Sequence, residues 1–246
     1  TSYFIIAIII IVAMVPLALT LRRPPPKEIP VSAGATREAS DREILSLKAI
    51  DLSPGRLLVL LSVAGIGCCV AMSMPQVHIV AYCADLGFGA VRGAEMLSLM
   101  LAGGAVTRVG SGFLADYLGG IRTLLLGSVL QGIALVFYLP FDGLMSLYVI
   151  SLMFGIAQGG IVPCYAIIVR EYMSPHIAAE RVGFLFMMTI VGMGFGGWSS
   201  GWIYDVTGSY SAAFVHGIAW NVLNVGIIFL ILLRTRSSGP FRTVSV

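Results

Sequence analysis

Charge is what this 246-residue chain has least of: 11% of its residues are Asp, Glu, Lys or Arg, where soluble domains carry roughly 25%. The shortage is patterned. Residues 3–21, 57–84, 123–141, 143–169, 182–204 and 211–233 hold no charged side chain, and 96–115 holds only Arg108. Lysine is scarcer still, with Lys27 and Lys48 both inside 22–56. No apolar run therefore offers an amine for a Schiff base, which argues against a retinal-type seven-helix protein. The four cysteines, Cys68, Cys69, Cys83 and Cys164, have neither metal nor disulfide spacing. No Ser-His-Asp set, zinc motif or paired carboxylates can be assembled at one depth, so an enzyme, a metal and a cofactor are not expected. The glycine-rich GMGFGG at 192–197 has no strand before it. Close helix packing by small residues explains it better than phosphate binding.

What is abundant is apolar length. Hydrophobic residues make up 58% of the chain, and the mean hydropathy is +0.95. A bilayer core about 30 Å thick needs about 20 helical residues to cross it, and each of the seven runs is long enough or nearly so. The expected fold is an all-α polytopic membrane protein with seven transmembrane helices. The first run is followed by RRPPP, a stop-transfer flank, and has no basic stretch ahead of it, so it reads as a span and not as a signal peptide. Residues 22–56, rich in proline, small residues and mixed charge, cannot bury a core and read as a flexible linker. The chain thus divides into a lone helix (1–21), a linker (22–56), a six-helix block (57–233) and a tail (234–246).

Orientation follows from the basic residues. With 22–56, 116–122, 170–181 and 234–246 on one side, that side holds 13 of the 15 Lys and Arg. The positive-inside rule makes it cytoplasmic and puts 85–94, 140–143 and 205–210 outside. The net charge of +3 reports this topology and not a nucleic-acid partner. The partners expected are the lipid bilayer and a small solute.

The six-helix block repeats itself. Gly112-Phe-Leu-Ala-Asp116-Tyr-Leu-Gly119 and Gly201-Trp-Ile-Tyr-Asp205-Val-Thr-Gly208 share the form G-x3-D-x2-G at an offset of 89. The same offset brings Pro75 to within one residue of Pro163. Each copy holds three helices, so the second must be inverted relative to the first. Inverted three-helix repeats with proline-interrupted first helices are a transporter architecture with a site near the midplane.

Gly112, Asp116, Gly119, Gly120 and Arg122 together are similar to the loop signature of the major facilitator superfamily. Pro75-Gln-Val-His78, Thr107-Arg108 and Gly201-Trp-Ile-Tyr-Asp205-Val-Thr-Gly208-Ser-Tyr210 resemble its monocarboxylate and oxalate/formate type. The resemblance implies that 1–21 is the sixth of twelve spans and 57–233 the C-terminal half, with an N-terminal half of five further spans absent from this chain. It implies a secondary active transporter of a small organic anion in the plasma (inner) membrane, working by alternating access as antiporter or symporter. A seven-helix receptor and a non-transporting membrane scaffold are the alternatives. The family's proton-linked members carry an acid four residues before the arginine, a position held here by Gly104, and this chain has Tyr117 where the motif has a basic residue.

Candidate residues each carry a plainer reading. Arg108, alone in an apolar span at a cost of roughly 2.5–3.5 kcal/mol, must face protein or water and have a partner. That partner is either a carboxylate from the absent half or an anionic solute, and the resemblance puts the substrate-anchoring arginine here. His78 either bonds a backbone carbonyl as a neutral ring or binds solute or a proton. Gln158, Gln76 and Tyr82 either line the pocket or join helices, and Asn221 and Asn224 read as interhelical bonds. Asp116 and Arg122 are either solvated loop charges or, as the resemblance implies, parts of a gate in which Asp116 meets a helix end of the absent half.

Overall fold

The computed structural model describes residues 50–235 and, before them, only Val12, Val15 and Pro16. The first apolar run, the linker up to residue 49 and the tail from residue 236 therefore lie outside the described residues, and so does any seventh span. Within 50–235 the fold is all helix: α1 (Pro54–Asp85), α2 (Ala90–Leu118), α3 (Gly120–Phe137), α4 (Leu144–Gln158), α5 (Ile161–Tyr172), α6 (Pro175–Thr207) and α7 (Tyr210–Leu233). Six stretches are long and apolar enough to cross a membrane, with α4 and α5 forming a single stretch, Leu144–Tyr172. The one β feature among the described residues is an isolated bridge between Ile50 and Thr235.

Helix is forced here because a lipid-facing backbone has no water to bond and must satisfy itself internally. The ends are set by local chemistry. Ser53 Oγ accepts from Arg56 N at 3.4 Å, with Pro54 at the first helical turn of α1. Gly119 alone joins α2 to α3, at φ +82°, where a side chain would strain the backbone. Its counterpart in the repeated motif, Gly208, ends α6 in the left-handed region at φ +65°. The last glycine of G-x3-D-x2-G is thus a helix stop in both copies.

The 89-residue offset carries α1 onto α4 and α5, α2 onto α6, and α3 onto the first three-quarters of α7. Packing follows the same exchange. α1 lies against α6 while α2 lies against α4, and α3 meets α7. The seams are made by glycines. A Cβ on Gly192 would come within 2.7 Å of the Ile66 carbonyl, and one on Gly196 within 2.6 Å of Val70 Cα. Across the other seam, a Cβ on Gly155 or Gly159 would collide with the α2 backbone at Met100 or Gly104. These spacings of four residues let backbones approach without side chains between them.

Polarity is inside out. Ser128, Gln131, Ser151 and Asn224 are fully buried, while Val106, Val109, Phe113, Trp198 and Trp202 are exposed. The buried groups bond across helices: Asn224 Nδ2 to Ser128 Oγ at 2.9 Å, Tyr165 OH to Asn224 Oδ1 at 3.4 Å, and Gln131 Nε2 to the Cys68 carbonyl at 3.2 Å. Asn221 departs from expectation. Its Nδ2 is buried with no hydrogen bond among the described residues.

The two first helices of the repeats differ. α1 runs unbroken through Pro75, whereas the equivalent span breaks at Gly159–Gly160, ahead of Pro163. Pro75 follows Ala71, Met72, Ser73 and Met74. The weaker helix formers Gly159 and Gly160 make the second site the one that yields.

Candidate functional site

A cavity of about 130 Å³ lies between α1, α2 and the broken span α4–α5. Its polar wall is Gln76 from α1, Arg108 from α2 and Gln158 from α4; the rest is Met72, Leu101, Ala105, Val162, Gly104 and Gly159. At a rise of 1.5 Å per residue, Arg108 stands about 27 Å along α2 from Ala90 and about 15 Å from Leu118, deep within the span. Larger hollows of about 220 Å³ beside Gly127 and about 450 Å³ beside Gly132 have no charged side chain in their walls.

Arg108 Nε donates to the Gly159 carbonyl at 3.3 Å, at the break between α4 and α5. That is the one hydrogen bond of its side chain among the described residues. The two Nη groups remain, arranged as the planar fork that takes a carboxylate through two parallel bonds. Beside them Gln76 Nε2 donates to Gln158 Oε1 at 2.8 Å. This pairing leaves Gln76 an acceptor oxygen and Gln158 an amide donor to offer elsewhere. A cavity this size is smaller than the 300–1,000 Å³ typical of drug-sized ligands and suits a small solute. Chemically the wall can neutralise one anionic group and orient a neighbouring polar one.

Three of the five candidate binding residues, Arg108, Gln76 and Gln158, thus share one cavity. The other two stand apart from it. His78 Nε2 lies 3.0 Å from the Gly197 carbonyl on α6, and its ring is 6.1 Å from that of Tyr210. Tyr82, one turn further along α1, packs edge-on against Tyr210 and Phe214 at 5.4 Å each. It belongs to an aromatic cluster that continues through Tyr204, stacked on Tyr210 at 4.1 Å, and Tyr138, stacked on Phe214 at 4.8 Å. At this end Tyr204 OH also bonds Asp85, and Tyr148 OH bonds Glu95. Tyr204 and Tyr210 belong to the motif stretch 201–210 and Tyr82 to the candidate set, but the cluster they form with Tyr138 and Phe214 exists only through the packing of α1, α6 and α7 with the end of α3.

The motif residues gather at the opposite end. Asp116 and Arg122 are exposed on either side of the Gly119 joint, and Gly112 has open space around it. Gly120 N donates to Glu171 Oε2 at 3.1 Å, a carboxylate placed on the N-terminus of α3, where the helix dipole favours negative charge. Glu171 escaped sequence reasoning because it lies 51 positions from the group it caps. Its one signal was an acid in the last turn of an apolar span.

Comparison with known proteins gives this arrangement a lineage. The model of the Major Facilitator Superfamily matches residues 1–180 and again 96–244. Monocarboxylate transporter 13 of Rattus norvegicus is 31% identical over 157 residues, which is 63% of this chain and 37% of that protein. The Bos taurus protein of the same name is 30% identical over 157 residues, with the same coverage. The matched stretch thus spans a little more than a third of the length of these relatives. Six apolar helices, the repeated glycine-aspartate motif and family matches that together run from residue 1 to residue 244 lead to one assignment: the chain belongs to the Major Facilitator Superfamily.

Proposed function

We propose that this chain forms part of a secondary active transporter for a small organic anion, working by alternating access. The observation that carries the reading is Arg108: a guanidinium deep in a span, tied at Nε alone among the described residues, on the wall of a cavity that two amides share. Keeping an arginine at that depth is costly, and an anionic solute that takes the Nη fork would offset the cost each time it binds. The relatives named monocarboxylate transporter 13 support an organic acid over other anions.

The two groups of three spans form inverted repeats in this reading, because an odd number of crossings reverses the second copy. The exposed apolar faces of α2 (Val106, Val109, Phe113) and α6 (Ile190, Trp198, Trp202) seat the other half of the transporter, against which the six helices rock. Asp116, exposed at the end of α2, meets a helix N-terminus of that half and holds the cytoplasmic side shut. Residues 22–56 are the cytoplasmic linker, 234–246 the cytoplasmic tail, and 1–21 a further span. His78 and Tyr82 border the solute's route at the outer end.

The test is uptake of labelled acetate, lactate, pyruvate and oxalate by the full-length protein and by Arg108→Lys. Lysine keeps the charge and loses the fork, so uptake should collapse while surface expression persists. Near-normal carboxylate uptake by the variant, or transport of neutral and cationic solutes alone by the parent, overturns the proposal.

A further inference from the structure

In an α-helix each carbonyl accepts from the N–H four residues further on. For Gly159 that donor belongs to residue 163, which is proline and has no N–H. The Gly159 carbonyl is thus left over by its own span, at a depth where lipid offers no water to take it. Arg108 Nε takes it instead, at 3.3 Å. The backbones are close here: a Cβ on Gly159 would run into Thr107 and the Gly104 carbonyl, so the Gly159 Cα lies directly against α2. Glycine at 159 brings the carbonyl to the arginine, and proline at 163 keeps it free. Pro163 itself does not line the cavity.

We propose that Pro163 is a positioning residue of the anion site, which by withholding its N–H reserves the Gly159 carbonyl for Arg108 and so holds the guanidinium with its Nη fork ready for the solute. This rests on the reading of Arg108 as the solute's anchor. A tethered guanidinium has fewer rotamers to lose when the anion binds, and such preorganisation shows in affinity. Any ordinary residue at 163 restores the N–H, lets the helix claim its carbonyl, and sets Arg108 loose.

The experiment uses the full-length protein and whichever of labelled acetate, lactate, pyruvate and oxalate it takes up fastest. Pro163→Val keeps much of the side-chain volume and Pro163→Ala does not, but both supply the N–H. Both should raise KM about three- to tenfold, the net weight of one ordinary hydrogen bond, with kcat within about twofold. An α-hydroxy acid analogue of valine at 163, introduced by nonsense suppression, replaces the N–H by an ester oxygen and should bring KM back. A role in packing alone predicts that Ala is worse than Val and that the ester rescues nothing; that result overturns the inference, as does an unchanged KM in both variants. If Arg108→Lys itself leaves carboxylate uptake intact, the anchor reading fails and this inference falls with it. If Arg108→Lys cripples uptake while Pro163→Val is silent, only the role of Pro163 is lost.

Discussion

Gln76 and Gln158, 82 positions apart in sequence, hold each other by a 2.8 Å hydrogen bond that ties α1 to the end of α4 beside Arg108. The bond closes one wall of the cavity beside the break in the span, so the amide pair and the charged group meet at the same interruption.

Replacing Gln158 with Leu strands the Gln76 amide and removes one polar contact from the wall. Interhelical hydrogen bonds in membranes average about 0.6 kcal/mol, so the fold should survive with little loss. Affinity should suffer more: KM for the transported carboxylate is expected to rise about threefold or more. Uptake kinetics, normalised to surface-labelled protein, check both halves of the statement.

Two asparagines on α7 should behave oppositely. Asn224 serves Ser128 and Tyr165, so Asn224→Leu leaves two buried groups unsatisfied at a cost of about 1–3 kcal/mol each. Asn221 is 3% exposed and its Nδ2 is unpartnered among the described residues. Asn221→Leu should therefore be neutral or stabilising. Thermal unfolding in detergent, read by exposure of the buried cysteines, ranks the two variants against the parent.

The glycine seam is tested by a matched pair. A Cβ on Gly155 would strike the Met100 carbonyl on α2, whereas one on Gly110 meets nothing within 4 Å. Gly155→Ala should lower the yield of folded protein, in line with the roughly 1–3 kcal/mol cost of overpacking. Gly110→Ala should leave it unchanged or raise it, since alanine is the better helix former. Size-exclusion profiles of the two variants after extraction give the comparison.

Topology can be read with single cysteines at Ser40 and Asp142. Cys68, Cys69, Cys83 and Cys164 are all buried, so background labelling should be low. A membrane-impermeant maleimide should reach position 142 from outside intact cells and position 40 only after permeabilisation. Labelling of both from the same side would sink the orientation and the inverted repeat together.

Span existence was legible in the sequence because charge depletion over about 20 residues has one physical meaning. The bounds were less so. The run 96–115 became Ala90–Leu118, since a helix continues past the hydrocarbon and carries Arg92, Glu95 and Asp116 on its wetted turns. The run 143–169 read as one span, yet it breaks at Gly159–Gly160, because hydropathy is blind to backbone geometry. Arg108 could be found as the lone charge in its run. Its bond to Gly159 could not, nor could the Gln76–Gln158 pair, because each is a contact between helices that only tertiary packing brings together. His78 illustrates the middle ground: a carbonyl partner was one of its two readings, and Gly197 supplies it.

The single-residue joint at Gly119 has a mechanical consequence. One residue contributes two soft torsions, so α2 and α3 are linked with almost no slack. The carboxylate of Glu171 grips the first N–H of α3, which joins α5 to the same train. Any reorientation of α2 against α3 must therefore be taken up at Gly119 itself and against the Gly120–Glu171 bond, because no loop lies between the two helices to absorb it.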